Sequence, residues 1–224
     1  MKLTITLSML LLAPALLPGQ QFTQASESDP AAKTVLEKMR ARYEAMKTLE
    51  ARFTLEVEIP ERPVDRQPGT LVQQGDKYRL VLPDRILASD GKAVRLFLPD
   101  KKEIQVNDAE PATGGGISSP GDLLKAYEWK DYVYALSQSF QENGVTVQQI
   151  EFKPVSRDTD FSKVRLTFNS KTLDILRIKS FGKDGSRFSV ILHQITPKQE
   201  VPPSTFTISE KDCPDCHVED LRLD

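Results

Sequence analysis

Histidine and cysteine are scarce, and their scarcity removes most catalytic classes. The 224 residues include two histidines, His193 and His217, and two cysteines, Cys213 and Cys216. There is no G-x-S-x-G, no P-loop, no G-x-G-x-x-G and no H-E-x-x-H. No acid, base and nucleophile cluster together, so no enzyme activity is expected. Glu56 and Glu58 come nearest to paired carboxylates, but they alternate outward from an apolar face, as on a solvated strand. His193 falls in a strand run, where a lone polar side chain is ordinarily exposed or hydrogen-bonded. A charge excess is also missing. Thirty basic residues meet 32 acidic ones, mixed along the chain. Without a basic stripe, nucleic-acid binding is excluded.

Long apolar runs are missing beyond the N-terminus. There, Lys2 precedes LTITLSMLLLAPALLP, which Pro14 and Pro18 break and which is too short for a membrane span. The pattern fits a signal peptide. Thr23-Gln24-Ala25 offers small residues for cleavage after Ala25, leaving a single domain over 26–224. No cysteine near that site offers a lipid anchor. The expectation is an exported, soluble chain with 29 basic against 32 acidic residues, a formal charge of −3.

What the chain does have is strands. Lys77 to Val106 reads KYRLVLPDRILASDGKAVRLFLPDKKEIQV, in which Pro83-Asp84, Asp90-Gly91 and Pro99-Asp100 separate four runs of β-formers. Asp-Gly between apolar runs signals a hairpin, because Gly accepts the positive φ of a tight turn. Leu80-Val81-Leu82, Arg85-Ile86-Leu87-Ala88 and Leu96-Phe97-Leu98 are apolar on consecutive positions, so both faces of this meander are greasy. Upstream, Asp29 and Pro30 open a helix to about Lys47, with Val35, Leu36, Met39, Tyr43 and Met46 on one stripe. Ala51, Phe53, Leu55, Val57 and Ile59 then alternate with polar residues along a half-buried strand. Further strand runs follow at Tyr132–Phe140, Val145–Phe152, Ser162–Asn169, Leu173–Ser180 and Arg187–Ile195, with a last short one at Thr205–Ile208.

Between the two groups of strands lies a gap from Asn107 to Gly121, centred on Gly114-Gly115-Gly116. A short amphipathic helix follows, from Ser118 to Tyr127. It reads equally as a mobile lid or as a crossover. The total is about eleven strands and two helices. Two helices cannot cover both faces of so large a sheet, so the sheet must curl on itself.

Cys213-Pro214-Asp215-Cys216-His217 is C-x-x-C-H, the pattern of covalent c-type haem attachment. A short-range disulfide stapling the C-terminal turn, or a pair of free thiols, is the preferred reading of Cys213 and Cys216 in an exported, β-rich chain. A metal half-site is the third alternative, with three ligands and no evident fourth.

These residues resemble the outer-membrane lipoprotein carrier family, the LolA-like proteins. The likeness rests on the N-terminal helix leading to Phe53, on Gly69 before Lys77-Tyr78-Arg79-Leu80, and on Ile86-Leu87-Ala88-Ser89-Asp90-Gly91-Lys92. It continues in Lys183-Asp184-Gly185, Pro203-Ser204-Thr205-Phe206-Thr207-Ile208 and Asp220-Leu221-Arg222. Where several relatives carry an aromatic after the D-G-K turn, this chain has Arg95. The arginine latch of the best-known members has no counterpart in Val72-Gln73-Gln74-Gly75.

The resemblance implies an α+β fold: an unclosed, strongly curved antiparallel β-barrel with an N-terminal helix and a short lid helix. It implies a periplasmic carrier holding the acyl chains of lipoproteins or lipids, with no cofactor and no catalysis. An inner-membrane lipoprotein-releasing transporter would load it and an outer-membrane acceptor would unload it. A monomer is expected. A lipid-binding sensor built on the same cavity is the alternative, with a haem protein behind it. Phe53, Leu55, Val57, Leu80, Leu82, Val94, Leu96 and Leu98 are the candidate lipid-lining residues, with Leu123 and Leu124 as lid contacts. Simple core packing is the competing role for each.

Overall fold

The computed structural model describes residues 28–109, 132–209 and 211–222. Helix α1 (Pro30–Glu44) comes first. The strands are β1 (Thr48–Glu58), β2 (Asp65–Gln74), β3 (Lys77–Val81), β4 (Ile86–Ser89), β5 (Ala93–Leu98) and β6 (Glu103–Asp108), then β7 (Tyr132–Glu142), β8 (Val145–Pro154), β9 (Phe161–Asn169), β10 (Ile175–Gly182), β11 (Arg187–Pro197) and β12 (His217–Asp220). They form one sheet in the order β12-β6-β5-β4-β3-β2-β1-β11-β10-β9-β8-β7. Strands β12 and β7 are its two edges, so the sheet stays open.

Three details differ from the sequence reading. There are twelve strands among the described residues rather than about eleven. The expected strand at Thr205–Ile208 is instead a 3-10 turn over Pro203–Phe206, because Pro203 fixes the φ of a first turn and supplies no ladder donor. The true last strand is β12, and it runs parallel to β6. Its pairing starts with His217 N donating to Lys102 O at 2.9 Å and ends with Leu221 N donating to Val106 O at 2.8 Å.

Helix α1 ends at Glu44, three residues before the expected end at about Lys47. Lys47 adopts φ 53°, and β-branched Thr48 begins β1. Asp29 fixes the other end. Its Oδ1 accepts from Ala31 N at 2.8 Å, capping the helix. Its backbone N donates to Tyr134 O at 2.9 Å, and its Oδ2 accepts from Leu136 N at 3.2 Å. Near the C-terminus, Arg42 pairs with Asp174 at 2.6 Å, and the Tyr43 hydroxyl accepts from Ile175 N at 3.1 Å. The helix therefore lies pinned between β7 and the start of β10, with Ala32, Leu36 and Met39 fully buried beneath it.

Residues directly opposed in an antiparallel ladder share a face. The register runs Ala51–Leu71–Leu80–Leu87–Leu96–Gln105 across six strands. This is the inner face, because Ala51 and Leu71 belong to the main core cluster with α1. The other face runs Val72–Arg79–Ala88–Arg95–Val106.

The two greasy faces of the meander now separate. Outside, Ala88, Ala93, Ile104 and Val106 pack on Ile208, with Ile86, Phe97, Cys213 and Cys216 against them. The C-terminal tail is thus the cover of the outer face. Arg79 holds it by donating to Thr207 O at 3.3 Å and Thr205 O at 3.5 Å, while Phe206 is fully buried.

Ser89-Asp90-Gly91-Lys92 closes the β4–β5 hairpin through one carboxylate. Asp90 Oδ1 accepts from Lys92 N and Ala93 N, each at 2.9 Å, and Oδ2 accepts from Arg95 at 2.9 Å. Gly91 takes φ 86°. Partial burial works to raise the Asp90 pKa, but the Ala93 and Lys92 amides and Arg95 outweigh it and hold it at about 2. A depressed carboxyl stabilises the fold fully above its unfolded pKa of 3.8 and ceases to do so as pH falls through about 2. Asp90→Asn is expected to cost on the order of 2 kcal/mol at neutral pH. The deficit should shrink as unfolding is measured from pH 4 toward pH 2; a pH-independent difference contradicts the assignment.

Candidate functional site

The inner face changes character along the sheet. Under α1 it is dry: Tyr132, Tyr134, Ile150, Phe152, Val164, Leu166 and Phe168 are buried there with β1 and β2 side chains. Beyond β3 it opens. Leu87, Val94, Leu96 and Leu98 are half-buried on this face and, among the described residues, stand outside both core clusters. The register then reaches β6, where Glu103, Gln105 and Asn107 oppose Leu98, Leu96 and Val94. A dry core, an apolar strip and a polar margin thus follow one another across a single face.

All eight strand residues proposed as lining lie on this inner face. Phe53, Leu55 and Val57 occupy alternate positions of β1; Leu80 and Leu82 lie on and just after β3; Val94, Leu96 and Leu98 lie on β5. They divide by burial. Phe53 and Leu82 are core residues. Leu55, Val57, Leu80, Val94, Leu96 and Leu98 are half-buried, which leaves surface for a ligand. The short helix expected from Ser118 to Tyr127, with Leu123 and Leu124, lies outside the described residues, as does the segment expected to be cleaved.

One residue escaped the sequence reading. Leu87 opposes Leu80 on one side and Leu96 on the other, at the centre of the strip. Counting back from the Asp90-Gly91 turn would have found it. Arg95, by contrast, points to the outer face and pairs with Asp90, so the loss of an aromatic there leaves the strip untouched.

Gly69 and Phe53 form the floor between core and strip. The far end of the Phe53 ring crowds Gly69, where an added Cβ would stand 2.3 Å from Phe53 Cζ. Beside them, Gln67 opposes Leu55 on the inner face. Its Oε1 is buried with no hydrogen-bond partner among the described residues.

Cys213 and Cys216 are joined as a disulfide with Cα atoms 5.4 Å apart. The bond corrects the haem alternative, because covalent attachment needs both thiols free. It also removes the sulfurs from any metal half-site. The disulfide serves the tail, closing the turn that feeds β12 onto β6. Glu56 and Glu58 lie on the outer face, paired to Arg66 at 2.6 Å and Lys179 at 2.7 Å. His193 is exposed, its Nε2 2.8 Å from Thr54 Oγ1.

The family described as "Outer membrane lipoprotein carrier protein LolA" matches residues 44–209. An outer-membrane lipoprotein carrier protein from Legionella pneumophila (strain Corby) is 24% identical over 179 residues, covering 78% of this chain and 85% of that protein. An uncharacterized conserved protein from Thermus thermophilus shares the fold, with TM-score 0.54 at 10% identity over 86% of this chain and 99% of that one. A LolA superfamily protein from Nitrosomonas europaea aligns with TM-score 0.43 at 12% identity, covering 79% and 97%.

Proposed function

The chain belongs to the outer membrane lipoprotein carrier protein (LolA) family, and from that premise we propose that it is a periplasmic carrier that takes up the acyl chains of lipoproteins and passes them from the inner to the outer membrane. The half-buried strip of Leu87, Val94, Leu96 and Leu98, continuous with Leu80, Leu55 and Val57, carries the reading. Each acyl CH₂ withdrawn from a membrane forfeits about 0.8 kcal/mol unless an apolar surface receives it. A chain of about sixteen carbons therefore needs on the order of 12 kcal/mol of matching apolar burial. A row of leucines and valines bordered by polar β6 residues is suited to this. It takes the hydrocarbon against β4 and β5 and leaves the polar head toward Glu103, Gln105 and Asn107.

In this reading residues 1–25 are the export signal. A transporter in the inner membrane loads the monomer, and an acceptor in the outer membrane unloads it. The test is binding of a diacylated lipopeptide against the same peptide without acyl chains, read by native mass spectrometry. At least a roughly hundredfold preference for the acylated form is expected, and depletion in cells should strand lipoproteins in the inner membrane. Equal affinity for the two peptides contradicts acyl recognition. Acyl recognition without stranding contradicts the transport role and leaves the sensor.

A further inference from the structure

Three turns meet at one end of the sheet. The β10–β11 turn touches the β8–β9 turn through Lys183 N donating to Asp160 O at 2.9 Å and Lys183 Nζ donating to Arg157 O. It touches the β1–β2 turn through Pro60, whose Cγ lies 3.2 Å from the Cβ position at Gly185. Ile59, Val64, Val155 and Phe188 are all exposed on or beside these turns. Phe188 opposes Val57 on the inner face, so this apolar rim continues the lining strip to the end of the sheet.

Beside the rim, the outer face carries positive charge. Glu151 receives both Lys163 at 3.0 Å and Arg165 at 2.5 Å. Glu58 receives both Lys179 at 2.7 Å and Arg187 at 3.4 Å. Lys163, Arg165 and Lys179 also surround the Phe181 ring, 4.9, 5.1 and 5.9 Å from its centre. Four cations thus share two carboxylates, in a chain whose formal charge is −2. The turns themselves are net negative by one charge, with Arg62, Arg157 and Lys183 against Glu61, Asp158, Asp160 and Asp184, so this end as a whole keeps a net charge of +1. The excess is confined to the strip around Phe181.

We propose that this end of the molecule docks on an anionic lipid bilayer, with Ile59, Val64, Val155 and Phe188 entering the interface and Lys163, Arg165, Lys179 and Arg187 held against lipid phosphates. An anionic bilayer offers negative charge at its surface and hydrocarbon directly beneath, in the order in which this surface offers cations and apolar tips. An acidic soluble protein would match the charge and leave four exposed apolar side chains unused. Docking this way would bring the mouth of the inner strip to the membrane.

The test uses wild-type protein without cargo, so it is independent of acyl recognition. Co-sedimentation is measured with phosphatidylcholine vesicles with and without phosphatidylglycerol at low ionic strength. Binding is expected only with phosphatidylglycerol. It should weaken at least about tenfold in Lys179→Gln/Arg187→Gln and in Ile59→Ser/Phe188→Ser, with thermal melting as the check on folding. Two variants on separate features keep the test informative if one folds poorly. No wild-type binding to phosphatidylglycerol vesicles, equal binding to both vesicles, or full binding by folded Lys179→Gln/Arg187→Gln overturns the proposal. Release by inorganic phosphate, but not by chloride at matched ionic strength, identifies a free-phosphate site and also overturns it.

Discussion

Gly69→Ala is expected to lower the unfolding free energy by about 2–3 kcal/mol and the thermal midpoint by about 5–10 °C. A methyl group is small, but it would stand 2.3 Å from Phe53 Cζ and 2.5 Å from Cε2. The ring has little room to retreat. Phe53 is 5% exposed and is held within the main core cluster, with Leu192 opposite it on β11. Relief must come from tilting the ring toward the half-filled strip or from separating β1 and β2, and each costs packing. The interaction is pairwise, so a double-mutant cycle isolates it. On a Phe53→Leu background the same glycine substitution should cost less than about 1 kcal/mol. Unfolding in urea, followed by circular dichroism, measures all four species. An additive cycle shows that the ring does not clamp Gly69.

The contact also shows what a sequence can reveal. Phe53 and Gly69 are separated by a proline-bearing loop, and alternation places Phe53 on a buried face without naming its neighbour. Only the β1–β2 register, Phe53 opposite Gly69, brings them together. The hairpins were legible because Asp90-Gly91, Asn143-Gly144 and Asp184-Gly185 combine turn chemistry with positive φ at the glycine. Strand β12 was not legible. His217-Val218-Glu219-Asp220 has no apolar alternation, and all four residues are exposed. Its extended form is set by docking on β6 rather than by propensity, a tertiary effect invisible to local pattern.

The double-sided hydrophobicity of β3–β5 was visible at once, yet its meaning was hidden. Its outer cover is Ile208 and the Cys213–Cys216 turn, far downstream in the chain. A tail that covers a sheet needs only a few apolar residues in the right place, which no periodicity marks. The inner side was more transparent. Alternation along β1 placed Phe53, Leu55 and Val57 together, and the hairpin turns carried that face to Leu80 and Leu96. Burial could not be read the same way. Phe53 and Leu82 share the pattern of Leu55 and Leu96 and differ only in proximity to the core that α1 closes. That distinction separates structural apolar residues from those with surface to offer.

Leu96→Glu is expected to abolish acyl-peptide binding, a loss of at least about a hundredfold, while lowering stability by less than about 1 kcal/mol. Leu96 opposes Leu87 on one side and Gln105 on the other, at the junction of apolar strip and polar margin. It is half-buried, so in the empty protein a carboxylate there keeps contact with water. An acyl chain laid over it would strip that water away and leave the charge unpaired, at a cost of several kcal/mol. The penalty belongs to the ionised form alone. A glutamate titrates near about pH 4.3 in water, and an apolar neighbour raises that value. Binding by the variant should therefore recover as pH falls from about 6 to about 4, where the side chain becomes neutral. The wild type should show no such recovery, since Leu96 carries no titrating group beneath the acyl chain. Gln105→Glu, one strand further into the polar margin, serves as the control and should bind nearly as the wild type does. Acyl-peptide titrations at a series of pH values read both effects. If Leu96→Glu binds as tightly as Gln105→Glu at neutral pH, acyl chains do not lie across β5.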